Sequence, residues 1–201
     1  MKWRILDKTP VYDGFFKLSR LRLQHDTFEG DEGLEITREL IDKGHAVGVL
    51  PYDPVRDEVV LVEQFRVGAC EGDNINDTPW LIEVIAGYKE PGESAETVAF
   101  REAVEEADCH IRDVQLLHQY YSSAGGSNEI IHVFFALTDT QGLGGIHGLD
   151  EEHEDIRVHV VSSEQAFEWL DAGRIDSAMP IIALQWFRMN RDRIRAEAGI
   201  E

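Results

Sequence analysis

The stretch Gly87–Asp108, GYKEPGESAETVAFREAVEEAD, decides how the rest of this chain is read. It sets Glu102, Glu105 and Glu106 on one predicted helix, directly after a glycine loop that carries Glu93. At about 100° per residue, Glu102 and Glu106 fall among Ala95, Val98, Ala99 and Ala103, inside an apolar stripe rather than opposite it. Carboxylates are almost never fully buried unless paired or bound to metal. Two glutamates at i, i+4 also repel by a few tenths of a kcal/mol, even when exposed. A helix that accepts both costs at one place is shaped around a cation, so the stretch predicts a metal site.

Composition narrows the partners. The 201 residues suit one domain with a sizeable core, or one domain plus an appendage. Acidic side chains number 39 against 19 basic ones, a net charge of -20. That balance argues against nucleic acid, whose phosphates require clustered Lys and Arg, and it disfavours anionic membrane surfaces. Most of these charges read as a solvated, self-repelling surface. A phosphate-bearing substrate would therefore need local arginine or divalent cations. No apolar run approaches the roughly 18 to 20 residues of a membrane span. The opening MKWRILDKTP lacks the apolar centre of a secretory signal. Cys70 and Cys109 form neither a metal-ligand spacing nor a disulfide scaffold, so a reducing cytoplasm is expected.

Outward from the helix, the chain alternates strands and turns. PVYDGFFKLSRLRLQHDTFEG and LEITRELID read as strands around a polar turn near Glu29 to Gly33. HAVGVLPYD and EVVLVEQFR are separated by Pro54–Asp57, a hairpin turn. WLIEVIAG, the glutamate helix, VQLLHQYYSS and EIIHVFFALTD follow, and then the glycine-rich QGLGGIHGLDEEHED before the strand IRVHVVS. Two helices close the chain: SSEQAFEWLDAG, with a serine start and a Gly173 stop, and SAMPIIALQWFRMNRDRIRAE, with Pro180 near its first turn. Strands around a central helix, with helices at the end, predict an α/β sandwich. Residues 1–44 form a separate small antiparallel β element, expected to dock on the main body or on a second subunit, and 45–201 form the main domain.

The charged positions of the opening stretch carry a resemblance. A glycine, five residues, Glu, seven residues, Arg-Glu, two residues and Glu-Glu is the signature of the Nudix hydrolases. Here it is Gly87, Glu93, Arg101, Glu102, Glu105 and Glu106, with every charge at its required spacing. One position departs: Asp108 stands where the family usually has the glycine that ends the helix, a role aspartate partly fills because it tolerates left-handed backbone. The chain also resembles the bacterial ADP-ribose pyrophosphatases of that family, through HAVGVLPYDPVRDEVVLVEQFR, SSAGGSNE and GGIHGLDEEHEDIRVHVVSSEQA. The resemblance implies an α/β/α sandwich with a mixed sheet, and a homodimer whose subunits exchange the N-terminal β element.

It implies chemistry as well. Diphosphate hydrolysis relies on positioning and charge neutralisation, which suits Mg²⁺, with Mn²⁺ as a possible substitute, in roughly two or three ions. The resemblance assigns the metal to the Ala86 carbonyl, Glu102, Glu106 and Glu154, with Glu105 as an outer or bridging group. Glu93 braces the loop through Arg101, although an ordinary surface pair of about 0 to 1 kcal/mol is the bland alternative. Of the acidic run Asp150, Glu151, Glu152, Glu154 and Asp155, which alone reads as a solvated face, the resemblance singles out Glu152 as the base for the attacking water. Arg66 matches a diphosphate contact, and Arg38 and Glu39 match a pair near the adenine and its ribose. Phe15 or Phe16 would stack on the base, Lys43 takes a place where relatives carry arginine, and Tyr88 and Glu129 line the terminal ribose.

The expected reaction is Mg²⁺-dependent cleavage of ADP-ribose to AMP and ribose 5-phosphate. Another nucleoside diphosphate sugar, such as GDP-mannose, is the alternative, since one scaffold changes base and sugar contacts at few positions. A non-catalytic ADP-ribose sensor is disfavoured by the intact box charges and by the lack of a basic patch or helix-turn-helix extension in the sequence.

Overall fold

The computed structural model describes residues 1–30, 33–71, 75–149 and 153–200. Two compact units result: Met1–His45 with Tyr120–Ile131, and Ala46–Gln119 with His132–Glu201.

In the first unit, β1 (Trp3–Asp13), β2 (Lys17–His25) and β3 (Leu34–Asp42) form an antiparallel sheet in that order. Asp13 pairs with Lys17, so Gly14, Phe15 and Phe16 form a three-residue hairpin tip. β1 reaches back to Trp3, beyond the stretch read as strand from sequence, and its register shifts twice, once next to Pro10. Proline cannot donate to a ladder and is tolerated at such irregularities. The segment after β8 (Arg112–Tyr121) is stitched to the end of β3: Ile41 N–H donates to Gly126 O at 2.8 Å, and Ile130 N–H to Gly44 O at 3.0 Å. Asn128 completes the seam, accepting from Lys43 N–H at 2.9 Å and donating to Asp42 at 2.7 Å.

The second unit is the α/β sandwich that the sequence predicts. Its sheet runs β10 (Gly145–His147), β11 (Ile156–Ser162), β5 (Glu58–Phe65), β4 (His45–Asp53), β9 (Ile130–Leu137), β8 (Arg112–Tyr121). WLIEVIAG, read as one strand, divides at the buried Val84 into β6 (Trp80–Glu83), paired with β5, and β7 (Ile85–Tyr88), paired with β4.

Period-two alternation sorts the core. Val47, Val49, Val60, Val62, Phe134 and Ala136 cluster with Val98, Ala99, Ala103 and Ala107 of α1 (Ala95–Ala107). The alternate residues face α3 (Ala178–Glu197), where Tyr52 and Phe135 meet Phe187 at ring distances of 4.5 and 6.0 Å. Strands buried on both faces explain the nearly unbroken apolar runs. At Gly48 a Cβ would overlap the Met179 side chain, so the glycine leaves room for that thioether from the first turn of α3. α2 (Ser163–Asp171) starts where Ser162 Oγ accepts from Gln165 N–H at 3.1 Å, and Gly173 follows its end at φ 72°.

The Pro54–Asp57 turn is fixed from two sides. Asp53 accepts from the N–H groups of Val55, Arg56 and Thr140 at 2.8, 3.2 and 3.0 Å. Asp57 accepts from Tyr52 Oη at 2.8 Å and from Arg191 on α3. No described helix is long and apolar enough to cross a membrane. Cys70 is exposed and Cys109 buried, and both are free thiols.

Candidate active site

The site is built where α1 meets β7. Ser94 caps α1, its Oγ accepting from Thr97 N–H at 3.0 Å. The helix then runs as far as Ala107. It ends on Asp108 in left-handed backbone (φ 48°, ψ 33°), whose N–H reaches Val104 O at 2.9 Å while Cys109 N–H reaches Ala103 O at 2.8 Å. Aspartate thus occupies the conformation that glycine normally supplies. At the other side, Gly87 has no room for a side chain, because a Cβ there would overlap the Glu102 carboxylate. That close approach presses Glu102 onto the strand.

Arg101 ties the loop to the helix. Its guanidinium donates to Glu102 at 2.7 Å, Glu105 at 2.9 Å, Glu93 at 3.4 Å and the Tyr88 carbonyl at 3.3 Å. Burial works against the charge on Arg101, but hydrogen bonds and Coulomb attraction from the three glutamates outweigh it and hold the group ionised. Glu93 also accepts from Glu90 N–H at 3.0 Å, and this bond, then Arg101, lowers its carboxyl below the usual range. The loop therefore closes on its own glutamate.

Glu106 lies one helical turn beyond Glu102 and is only 2% exposed. Its Oε2 accepts from Ala86 N–H at 3.0 Å. Burial pushes its carboxyl up to about 8; the Ala86 bond opposes this, while the charges of Glu102 and Glu154 add to it. Burial likewise pushes Glu102 up to about 7, opposed by Arg101 and reinforced by Glu105 and Glu154. Glu154, distant in sequence, is thus within electrostatic reach of both helix carboxylates. Its own Oε2 accepts from Leu149 N–H at 3.3 Å. Arg66 contributes positive charge at Glu106 and is oriented by Glu83, whose Oε2 accepts from Arg66 Nε at 2.6 Å.

A NUDIX domain model matches residues 42–180, well over half of the chain. This chain belongs to the Nudix family. Across 193 residues it is 44% identical to a protein of Escherichia coli K12 named ADP-ribose pyrophosphatase, covering 96% of this chain and 91% of that one. A Haemophilus influenzae protein of the same name is 45% identical over 186 residues, 92% of this chain and 86% of that one. A GDP-mannose pyrophosphatase of Escherichia coli O1:K1 is 31% identical over 179 residues, 89% of this chain and 91% of that protein.

In this Nudix chain, the second unit gathers Ala86, Tyr88, Glu93, Arg101, Glu102, Glu105, Glu106 and Glu154 around α1, with Arg66 within charge reach. Glu152 lies outside the described residues. The first unit holds the remaining expected substrate contacts. Phe15 is at the hairpin tip, 85% exposed, with Phe16 edge-on at 4.8 Å. Lys43 Nζ lies 5.2 Å from the Phe16 ring and 3.0 Å from Glu129, which is itself buried. Arg38 donates to Thr37 O at 2.8 Å, and Glu39 faces Arg20 at 3.9 Å. As successive residues of β3, Arg38 and Glu39 point to opposite faces of the sheet.

Two supporting residues escaped the sequence reading. Glu83 orients Arg66 and accepts from Ser177 Oγ at 3.1 Å. The signal for Glu83 was its position as the lone carboxylate inside the apolar run WLIEVIAG. Ser177 had none. The donor set of Glu102, Glu106, Glu154 and the Ala86 carbonyl is all oxygen, which fits a hard divalent cation. The raised carboxyls of Glu102 and Glu106 fit as well, because a cation offsets the repulsion and desolvation that hold them up. With Glu102 turned to Arg101 and Glu154 to Leu149, no three Asp, Glu, His or Cys side chains among the described residues close on one point.

Proposed function

We propose that this Nudix chain hydrolyses ADP-ribose to AMP and ribose 5-phosphate, with Mg²⁺ as cofactor and Mn²⁺ as a substitute. One observation carries the reading: an intact set of box glutamates gathered by Arg101 and Ala86, in a chain 44% identical over nearly its whole length to ADP-ribose pyrophosphatases. Glu102, Glu106, Glu154 and the Ala86 carbonyl would hold roughly two or three divalent ions, which when bound neutralise diphosphate charge and acidify water. Arg66 presents a planar, charged donor to the diphosphate, with Glu83 fixing its direction. Glu152 takes the proton of the attacking water as its oxygen bonds to phosphorus and the bridging P–O bond breaks. Glu105, Arg101 and Glu93 keep the helix and loop in register, so that the ligands are positioned before substrate arrives.

Phe15 or Phe16 stacks on the adenine, Arg38 and Glu39 lie near the adenine and its ribose, and Lys43, Tyr88 and Glu129 complete the substrate contacts. The nearly full exposure of Phe15 supports this, because an aromatic ring at a hairpin tip contributes little to a core. The protein works as a cytoplasmic homodimer, with residues 1–44 as the exchanged β element and 45–201 as the hydrolase domain. Supporting that arrangement, Trp3 and Tyr12 of β1 are 73% and 62% exposed.

The test is AMP release from ADP-ribose by purified protein with Mg²⁺, beside a panel of nucleoside diphosphate sugars. Absence of AMP from ADP-ribose ends this reading. The 31% identity to a GDP-mannose pyrophosphatase supplies the second one, which preferential cleavage of GDP-mannose would establish.

A further inference from the structure

β5 points its side chains alternately to the two faces of the sheet. Val60 and Val62 pack into the cluster beneath α1. At Arg66 the backbone is still extended (φ −123°, ψ 113°), so the alternation continues past the strand end. Gln64 consequently lies on the α1 face, between Val62 and Arg66. Its cross-strand partner is Leu81, and that of Val62 is Glu83, the residue that orients Arg66. On this face of the sheet, then, Gln64 is neighbour to the arginine whose charge reaches Glu106.

Gln64 is only 7% exposed, and its Nε2 is buried without a hydrogen-bond partner among the described residues. An unpaired buried amide donor is costly, and methionine would fill nearly the same space without that cost. Among the described residues, then, the free protein maintains a donor that nothing uses. The donor is neutral, which matters here: it adds no further charge beside Arg66. Its missing partner is an acceptor, and the diphosphate is made of acceptor oxygens.

We propose that Gln64 is a substrate-binding residue whose Nε2–H donates to a non-bridging oxygen of the diphosphate, alongside Arg66. This rests on the diphosphate-hydrolase reading above. The affinity of the site for substrate then depends on a hydrogen bond to a charged group, worth about 10- to 100-fold when lost.

The experiment uses the full chain and its variants Gln64→Met and Gln64→Leu. Each is assayed for thermal midpoint, for binding of non-hydrolysable α,β-methylene ADP-ribose by calorimetry, and for kcat/KM on ADP-ribose. The expected result is binding weakened about 10- to 100-fold, kcat/KM lowered by a similar factor, and a midpoint equal to or above that of the wild type. Binding within about twofold of wild type in both variants overturns the inference. So does a loss that accompanies a lowered midpoint in both, since that is the behaviour of a packing residue. Wild-type protein that releases no AMP from ADP-ribose defeats the functional reading instead. In that case binding of inorganic pyrophosphate to wild type and Gln64→Met decides the inference by the same criteria.

Discussion

Gly87 and Glu102 share one space: the strand can lie against the helix carboxylate only because residue 87 has no side chain. Gly87→Ala must therefore displace Glu102 or push α1 off the sheet. Displacing a positioned group by about 1 Å costs on the order of 100-fold in rate. We expect a loss of that order in kcat/KM and a much smaller change in thermal midpoint. Steady-state kinetics and calorimetry on the same preparation separate the two.

On the proposed metal assignment, Glu106→Gln is expected to lower turnover by at least about 100-fold, since the variant loses one of the proposed ligand charges. It should leave the metal-free protein as stable as before, or more so. A glutamine oxygen can still accept from Ala86 N–H, while repulsion from Glu102 and Glu154 disappears. Near-normal turnover in this variant would remove Glu106 from the metal set.

The acidic run at Glu151 and Glu152 gives a paired comparison. On the proposed assignment, Glu152→Gln should depress kcat far more than it weakens metal binding, because the proposed role is that of a base rather than a ligand. Glu151→Gln should do neither. Equal losses in the two variants, measured by turnover and by metal titration, would undo the choice of Glu152.

Asp108 holds left-handed backbone at the end of α1. Glycine adopts that conformation without strain, so Asp108→Gly should stabilise the protein by about 0.5–1 kcal/mol. That corresponds to roughly 2 °C in thermal midpoint for a chain of this size, with kcat/KM unchanged. A lower midpoint would mean that the aspartate side chain contributes more than its backbone costs.

Asp53 sets an acid limit. Burial alone would raise its carboxyl, but the Thr140 N–H, the Arg56 guanidinium and the N–H groups of Arg56 and Val55 outweigh this and bring it down to about 2. A carboxyl depressed on folding contributes stability above its unfolded value of 3.8, and that contribution is lost as pH falls through about 2. Denaturant melts should therefore show wild type ahead of Asp53→Asn by about 1–3 kcal/mol at neutral pH. The gap should close between roughly pH 4 and pH 2; a constant gap across that window would contradict the assignment.

The sequence made the site more legible than the fold around it, and locality explains why. Glu93, Arg101, Glu102, Glu105 and Glu106 lie within one loop and one helix, so spacing alone brings them together. The apolar runs of β4, β5 and β9 announced strands because both sheet faces are covered. Contacts made by distant pieces left no local trace. Nothing in WLIEVIAG showed that Val84 would divide it between two partner strands. Nor did SSAGGSNE show that Gly126 and Asn128 would be stitched to Ile41, Asp42 and Lys43. The link between Glu154 and the helix carboxylates came from resemblance rather than spacing, since many residues of strand and loop intervene.

Arg101 has a consequence for how this protein tolerates change. One guanidinium serves Glu93, Glu102, Glu105 and a backbone carbonyl, so the three glutamates are not independent positions. Replacing any one of them frees the arginine to redistribute its bonds among the others, and the effects of two replacements will not sum. Coupling of about 0.5–3 kcal/mol is usual for groups sharing a partner. The four residues therefore form a single heritable unit, and substitution paths that alter one of them run through the arginine they hold in common.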